Sequence, residues 1–560
     1  MNQDIVVDLQ LSANDYSPLS KTTIKVIRIC KNEDVEENKN GIKTDDLHDP
    51  FDNDFLKSLT SPDYSDNSEK KDCLLKILKE IQNDINNDRL EVSMSKSDTK
   101  QIFSDYNGGY YGGVVGVVHK AKIPYTSDGS TYKLNVTLQI CSRMDDNNKP
   151  YFLTTMLLRD KIKFNDNQVP SNEDEVMDYL MLFYLKQQLL DAYQKGFYRR
   201  YQRFEKNDDR LRGSIDIARH IRENMGQRNG KIAYSYRENT INNDLNRLII
   251  AAYEYLKKKY YDLVTENFDN NSDLTEIITT LKIETGYSNE NIRSIVSKNL
   301  KPITSPYYIE YENLRIICLR ILRDEAIFIF NGDTEQKVNG FLVYLPTLWE
   351  KFLEEKMQPV VDEMQPKITL KSQKKVNIFG KKNKYVQDTY PDFVFSEENQ
   401  YFMVMDAKFK PKWEDVFRED VFNSKSRKLI ASEDGLLTDY NKCIRDMNSL
   451  GAHATGVIFP VQNDITEIIR NASTDKNEAW KNENFLIKIS KYNQIDRFYM
   501  LPIMVPKVNQ DYSKWQKEFD ERILASMAIF KKMVAYAHNR HGIIKKCEEG
   551  LEEELKTFEN

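Results

Sequence analysis

The spacing of hydrophobic residues changes several times along the chain, and each change predicts a different element. Apolar and polar residues alternate in IVVDLQL and TTIKVIRI within residues 1–30, which predicts short strands because successive strand side chains point to opposite faces. Leu74–Ile85 instead repeats its apolar residues at helical spacing. The runs NGGYYGGVVGVV, YKLNVTLQI and YFLTTMLL then predict strands of a mainly β region.

Helical patterns dominate the middle and the end of the chain. The segments with this spacing are 174–195, 240–265, 289–329 and roughly 513–539. Between the last two, from Val338 onward, the pattern predicts one helix, a β-hairpin, a helix and a strand, which is the plan of a compact α/β core.

The length of 560 residues exceeds the size at which a single hydrophobic core keeps growing, so we expect several domains. The expected fold class is multidomain α+β and α/β, with a mixed β/α region followed by an α/β core. The expected segments are a β-rich region 1–112 with an acidic, solvated and partly mobile insertion at 31–72, a mixed β/α domain 113–335, an α/β domain 336–510 and a helical extension 511–560.

Composition narrows the class of protein. The chain is 40% hydrophobic and 30% charged, as in globular proteins, and it holds no apolar run of about 18 residues that would cross a bilayer. Its first residues lack the basic start and apolar stretch of a signal peptide. The six cysteines are far apart and form no C-x-x-C pair. We therefore expect a cytoplasmic protein with free thiols, no membrane contact and no structural zinc.

One segment of the chain is basic although the net charge of the whole chain is −6. Residues 196–237 hold eleven Lys and Arg and only five Asp and Glu, and binding to phosphates needs such clustering. Arginines and aromatic residues interleave in Tyr198–Phe204 (YRRYQRF), which favours nucleic-acid contact through Arg199, Arg200 and Arg203. The alternative is a solvated helix face, which is what most charge runs are.

The candidate chemistry lies in YPDFVF (Tyr390–Phe395) and YFMVMDAKFK (Tyr401–Lys410), two apolar runs joined by a five-residue polar link (SEENQ) that predict a β-hairpin. Asp406 and Lys408 are two residues apart, so their side chains leave one face of the second strand. Asp392 opposes that face if the hairpin pairs in the usual register. Two carboxylates and an ammonium group would then converge.

This arrangement suits hydrolysis of phosphodiesters. Carboxylate oxygens are the ligands that Mg²⁺ prefers, with Mn²⁺ as a substitute, and the metal activates water and polarises the phosphate. Lys408 would stabilise the charge that develops, since two neighbouring anions keep it protonated. The alternative is a surface ion pair on a polar strand edge. The preceding Pro-Asp and the cost of placing Asp and Lys among apolar residues favour the functional interpretation.

A fourth acid is available on the helix before the hairpin. In LPTLWEKFLEEKM the apolar stripe of Leu345, Leu348, Trp349 and Phe352 predicts a helix that packs on a sheet. Glu350 flanks this stripe and is either a further metal or water ligand or a surface glutamate.

Together these residues resemble the PD-(D/E)xK nuclease superfamily, and more narrowly the McrC/LlaJI-type nuclease subunits of McrBC-like restriction systems. The resemblance runs from about Gly113 onward. Its pieces, in the family's order, are LQICSRMDDNNKPYFLTTML, LRGSIDIARHIRENM, KIAYSYRENTINNDLNRLI, NGFLVYLPTLWEKFLEE, YPDFVF, VMDAKFK and DYNKCIRDMNSLGAHATGVIFP. Carried over by position, the resemblance makes Glu350, Asp392 and Asp406 the metal-binding acids. Lys408 completes the catalytic set.

The resemblance also implies partners: double-stranded DNA and an McrB-like AAA+ GTPase that moves along it. The chain has no G-x-x-x-x-G-K-[ST] and hence no expected nucleotide site of its own. Within the basic cluster, Arg212, Arg219 and Arg222 would then dock into the motor ring. The helix after the hairpin departs from the family, because Lys442 and Asp446 stand where a glutamine and an aromatic residue are common. Lys442 remains a candidate for contact with DNA phosphate.

The expected function is therefore a Mg²⁺-dependent DNA endonuclease subunit of a restriction system that defends against phage, activated by the GTPase. Because one such site cuts one strand, a double-strand break requires two copies or two converging complexes. The alternatives are a repair nuclease with the same site, a non-cleaving adaptor of the motor and an RNA nuclease. An RNA nuclease is included because the hydrolysis does not require discrimination of the 2′-OH.

Overall fold

The computed structural model describes most of the chain, which folds into two compact units. The described residues are 5–16, 21–31, 57–59, 68–87, 90, 92–93, 103–104, 110–127, 130–146, 149–159, 161–163, 166–225, 230–288, 290–322, 338–377, 388–415, 434–474, 478–482, 485–488 and 496–558. The first unit comprises Met1–Met156, Pro170–Glu173 and Gly340–Asn560, and the second Leu157–Val169 and Asp174–Asn339. Each unit contains both helices and sheet, which confirms the expectation of a multidomain α+β protein.

Strands and helices are numbered in chain order. The strands are β1 (Ile5–Asn14), β2 (Thr23–Lys31), β3 (Val92–Ser93), β4 (Phe103–Ser104), β5 (Tyr110–Tyr111), β6 (Val114–Ser127), β7 (Ser130–Cys141), β8 (Arg200–Asp208), β9 (Ser214–Ile215), β10 (Ile232–Thr240), β11 (Val338–Tyr344), β12 (Thr369–Ser372), β13 (Val376–Asn377), β14 (Asp388–Thr389), β15 (Phe393–Glu397), β16 (Gln400–Ala407), β17 (Ala454–Val461), β18 (Leu486–Lys488) and β19 (Arg497–Met504). The α-helices are α1 (Ser68–Asn86), α2 (Tyr151–Leu158), α3 (Glu173–Tyr193), α4 (Ile217–Asn224), α5 (Asp244–Lys259), α6 (Tyr261–Val264), α7 (Ser272–Thr285), α8 (Ile292–Lys298), α9 (Ile309–Ile321), α10 (Leu345–Asp362), α11 (Pro411–Asp415), α12 (Asp434–Ser449), α13 (Thr466–Thr474) and α14 (Tyr512–Phe558). Among the residues that the structure describes, no helix combines the length and the apolar composition needed to span a bilayer.

The first unit contains a six-stranded sheet in the order β2–β1–β7–β6–β11–β3. β1 pairs antiparallel with β2 and parallel with β7. Val7, Leu9 and Leu11 of β1 are buried while the residues between them are half-buried, which confirms the strands that the alternation predicts. Helix α1 packs against β6 and buries Leu74 and Ile77, again as its spacing predicts.

A second six-stranded sheet of the first unit carries the hairpin, in the order β12–β15–β16–β17–β19–β18. β15 and β16 are antiparallel, whereas β16, β17 and β19 are parallel to one another. Every residue of β17 and β19 is buried, because helices cover the faces of a parallel sheet. Helices α10, α12 and α14 pack against β16 and thereby enclose the end of the hairpin.

The second unit combines a small sheet with a helical cluster. Its sheet has the order β8–β10–β9, and α4 packs on β10. Helix α5 is the centre of the cluster, because α6, α7, α8 and α9 all contact it and its residues Leu248, Ile249 and Ala252 are buried. The YRRYQRF run lies largely on β8 rather than on a helix, so the interpretation as a solvated helix face is wrong for this run.

One apolar run folds differently from its prediction. YFLTTMLL forms helix α2 and not a strand. The carboxylate of Asp145 accepts hydrogen bonds from the backbone N–H groups of Phe152, at 2.6 Å, and Leu153, at 3.2 Å. These bonds satisfy donors in the first turn of the helix, as a cap does. A short run that is apolar throughout fits either element, and here the cap decides for the helix.

The two units cut across the segments expected from the sequence. β6 and β7 lie beyond residue 112, yet β7 pairs with β1, and β11 lies beyond residue 335, yet it joins the same sheet. Pairing between strands distant in sequence therefore unites segments 1–112 and 336–510, which were expected to be separate. The last helix also continues well past Asn539. Most of the 31–72 insertion lies outside the described residues.

Candidate active site

The hairpin of β15 and β16 brings the two aspartates of the motif together. Phe393 pairs with Met405, so the antiparallel register sets Asp392 opposite Asp406. The strands join through Glu398 and Asn399, both with positive φ, in place of the five-residue link that the sequence suggested. Asp392 is 4% exposed and Asp406 is 3% exposed, so two carboxylates face each other in the interior.

The protein holds Asp392 through backbone and side-chain donors. Its Oδ2 accepts a hydrogen bond from the backbone N–H of Ala407 at 2.8 Å, across the hairpin. Its Oδ1 accepts one from the Gln373 side-chain amide at 3.0 Å. The backbone N–H of Gln373 also donates to the Asp392 carbonyl at 3.1 Å, which extends the β12–β15 pairing by one residue. The carboxyl group is thus fixed from both neighbouring strands.

Two ammonium groups hold Asp406. Lys408 Nζ forms an ion pair with Oδ2, and Lys442 Nζ on helix α12 forms one with Oδ1. The sequence alone placed Lys408 beside Asp406, but it offered Lys442 as a phosphate contact. In the structure, the Lys442 ammonium group contacts the Asp406 carboxylate.

Lys408 is positioned more firmly than the motif suggests. Its backbone N–H donates to the carbonyl of Ile458 on β17 at 2.8 Å, and its Nζ lies 3.4 Å from Oδ1 of Asp439 on α12. Asp439 is itself held by Lys410 Nζ at 2.8 Å and by the indole N–H of Trp413 at 3.0 Å. The hydrogen bond to β17 fixes the base of the Lys408 side chain, and Asp439 on helix α12 fixes its tip.

The pKa values of this group diverge, as expected where buried charges meet. Burial and the negative charge of Asp406 hold the pKa of Asp392 well above its usual range. Burial acts in the same direction on Asp406, but Lys408 and Lys442 outweigh it and keep the pKa of Asp406 below its usual value. Burial disfavours the Lys408 ammonium, yet Asp406 and Asp439 raise its pKa above the ordinary value. Lys408 is therefore a lasting positive charge and not a proton acceptor.

Glu350 reaches the pair through an intermediary. It lies on α10 next to the buried Trp349, and its Oε2 accepts a hydrogen bond from the Gln373 side-chain nitrogen at 2.9 Å. The same nitrogen donates to Asp392, so one amide bridges the two acids. The structure brings all four predicted residues, Glu350, Asp392, Asp406 and Lys408, into one region and places Glu350 at its edge.

Hard oxygen donors fit a magnesium-type ion here. Mg²⁺ takes one or two carboxylates and completes its shell with water and substrate oxygens, and Mn²⁺ accepts the same donors. Asp392 and Asp406 supply the two carboxylates. Within the described part of the chain, no three acidic, histidine or cysteine side chains are grouped closely enough to hold a metal by themselves.

Comparison with known proteins identifies the family. The model of the McrBC 5-methylcytosine restriction system component matches residues 125–429, which is more than half of the chain and includes the hairpin. The chain belongs to the McrBC family. It is thus a component of an McrBC restriction system. No curated protein matches the chain.

Two solved structures similar to this McrBC component come from Thermococcus gammatolerans. One is a refined half-complex from a tetradecameric assembly of McrB AAA+ hexamers with bound McrC. It shares 15% identity and a TM-score of 0.37 over 80% of this chain and 93% of that chain. The other is a cryo-EM structure of the McrBC complex, with 16% identity and a TM-score of 0.25 over 52% of this chain and 82% of that chain.

The basic cluster of this McrBC component forms a surface in the second unit. Arg199, Arg200, Arg203, Arg212 and Arg222 are exposed, as a binding role requires. Arg219 differs, because its guanidinium donates to the backbone carbonyls of Lys206 at 2.8 Å and Tyr234 at 2.7 Å. Arg219 thus ties β8 to β10. Large apolar side chains share the surface, namely Tyr201, Leu211, Ile215, Ile217, Ile221 and Met225.

Two residues at the site, Asp439 and Gln373, were not among those predicted from the sequence. Asp439, Lys442 and Asp446 are spaced three and four apart on α12, which places them on one helical face, and that spacing could have identified Asp439. Gln373 carried no such signal. Its place beside Asp392 depends on the pairing of β12 with β15, which sequence spacing does not reveal.

Proposed function

We propose that this McrBC component is the subunit that cuts DNA, a Mg²⁺-dependent endonuclease with a PD-(D/E)xK core. The observation that carries the proposal is the pair of buried carboxylates, Asp392 and Asp406, with the Lys408 ammonium on Asp406. Burying two carboxylates that face each other is energetically unfavourable, and such arrangements are concentrated at catalytic and metal-binding sites. Family membership supports a restriction role for this chemistry.

Asp392 and Asp406 would hold Mg²⁺ or Mn²⁺, with Glu350 binding one of its waters. When bound, the metal supplies an activated water and polarises the scissile phosphate. Gln373 orients Asp392 and Glu350 together, because its amide donates to both. Lys408 keeps its proton and places positive charge where the phosphate accumulates negative charge. Asp439 holds the Lys408 side chain in that position.

The substrate in this proposal is double-stranded DNA, and the partner is an McrB-like AAA+ GTPase. Support for the partner comes from the family and from the surface around α4, where exposed Ile217, Ile221 and Met225 lie among exposed arginines. Apolar residues within a positively charged surface are typical of protein–protein interfaces. The GTPase would bind there and deliver DNA, and two copies or two complexes would cut both strands.

The test is plasmid cleavage with the components omitted one at a time. We expect cleavage to require this chain, Mg²⁺, GTP and the GTPase together. Equal cleavage without GTP and without the partner would instead identify a free-standing processing nuclease. Cleavage that survives Asp406→Asn in the complete mixture would leave this chain as an adaptor and remove the proposed function.

A further inference from the structure

Asp406 carries one more cation than the motif provides. Each of its oxygens is engaged by an ammonium group, Oδ2 by Lys408 and Oδ1 by Lys442. Asp392 has protein donors on both of its oxygens as well, from Ala407 and Gln373. A divalent cation that binds to Asp406 must therefore approach two ammonium groups, which oppose its charge.

The two lysines differ in how firmly they are held. Lys408 has 12% of its side chain exposed, is anchored through its backbone to Ile458, and is also 3.4 Å from Asp439. Lys442 has 30% of its side chain exposed. A second acid, Asp446, lies 3.9 Å from its ammonium group.

Asp446 is a weak partner for Lys442, because the carboxylate of Asp446 already contacts other groups. Its Oδ1 accepts a hydrogen bond from the Thr389 hydroxyl at 2.8 Å and pairs with the Arg445 guanidinium at 3.1 Å. The Lys442 side chain starts from a half-buried position on α12 and ends on Asp406. Of the two lysines, Lys442 is the more exposed, and its second carboxylate partner lies farther away, at 3.9 Å compared with 3.4 Å for Lys408.

We propose, on the basis of the nuclease function proposed above, that Lys442 is an exchangeable counter-ion of Asp406. It neutralises the acid while the metal is absent, and it turns to a backbone phosphate of DNA when a divalent cation takes Oδ1. The phosphate compensates the ammonium for the lost carboxylate, since both are anionic oxygen acceptors. Binding of metal and binding of DNA are then coupled, and the coupling is reciprocal.

The proposal is tested by the affinity of the full-length chain for Mn²⁺, measured by calorimetry without DNA or partner. Lys442→Gln removes the competing charge and keeps a polar side chain of similar length. We expect it to bind Mn²⁺ about tenfold more tightly than the wild type, or more, since a neighbouring cation no longer opposes the metal. Lys442→Arg retains the charge and is expected to keep an affinity close to that of the wild type. Lys531→Gln, a surface lysine of the same unit, is the control.

Adding an oligonucleotide duplex supplies the second half of the test. In the wild type the ammonium then has a phosphate to bind, so the advantage of Lys442→Gln over the wild type should shrink. An unchanged Mn²⁺ affinity in Lys442→Gln overturns the proposal, and so does an advantage that DNA does not reduce.

Asp406→Asn separates this inference from the nuclease function. Mn²⁺ binding that depends on Asp406 but not on Lys442 leaves the nuclease site standing and removes the exchange. If Asp406→Asn does not reduce Mn²⁺ binding, either in the wild type or in Lys442→Gln, both proposals are overturned.

Discussion

The Arg143 guanidinium lies 4.3 Å from the centroid of the Phe409 ring. Phe409 directly follows Lys408 of the D-x-K motif. Arg143 follows β7 and forms an ion pair with Asp15, which follows β1, at 3.1 Å. Asp15 is buried. The N-terminal sheet is thus joined directly to the strand end that carries Lys408, although the two are far apart in sequence.

Replacing Arg143 should destabilise the protein through Asp15. Arg143→Met leaves a buried acid without its cation, and breaking such a pair costs about 3–5 kcal/mol. We expect a loss of that size in the free energy of unfolding measured with urea. The double variant Asp15→Asn with Arg143→Met should recover part of it, because no uncompensated charge remains. A loss below about 1 kcal/mol, typical of a surface pair, would show that the Asp15–Arg143 pair does not stabilise the fold as a buried pair does.

Metal binding should depend on pH through Asp392. Burial and Asp406 raise the pKa of Asp392, so in the metal-free fold its carboxyl group keeps a proton to higher pH than usual. A divalent cation needs the carboxylate. Its affinity should therefore rise with pH, by up to about tenfold per unit below that pKa, and binding there should release a proton.

Calorimetry in buffers of different ionisation enthalpy measures that proton. The free energy of unfolding also depends on pH. Without metal, the raised pKa of Asp392 means that stability is lost as pH rises through that pKa. The lowered pKa of Asp406 acts in the opposite sense, and its contribution is lost as pH falls below the ordinary value of 3.8. Binding of Mn²⁺ at acidic pH without proton release would contradict the assignment of Asp392 as a ligand.

The surface around α4 should mediate activation by the GTPase. Ile217 is 68% exposed there, so Ile217→Asp should leave the melting temperature unchanged while it disrupts an apolar interface. We expect at least a tenfold weaker affinity for the GTPase, roughly 1.4 kcal/mol. Ile283→Asp is the matched control, because Ile283 is 73% exposed on α7 of the same unit. If both variants bind the partner equally well, the docking surface lies elsewhere.

The central geometry of the site could be predicted from sequence because it is local. The two-residue period of a strand places Asp406 and Lys408 on one face, and a short hairpin sets Asp392 opposite Asp406. Glu350 was reachable in the same way, from the apolar stripe of α10. Each of these inferences needs only neighbours along one or two adjacent elements.

What the sequence did not reveal depends on tertiary contacts. Gln373 acquires its place from strand pairing, and Lys442 contacts Asp406 because α12 packs on β16. The YFLTTMLL run becomes a helix because Asp145 caps it. The pairing of β1, β7 and β11 in one sheet likewise depends on distant parts of the chain, so local patterns do not reveal it.

The rate of plasmid cleavage by the complete system, with Asp406→Asn compared to Asp511→Asn, tests the central claim most directly. Both changes convert one carboxylate into an amide, but Asp406 is buried at the proposed metal site and Asp511 is an exposed partner of Lys514. We predict that Asp406→Asn lowers the rate by about 10³-fold or more while Asp511→Asn leaves it unchanged. Equal rates for the two folded variants would contradict the assignment of Asp392, Asp406 and Lys408 as a nuclease site.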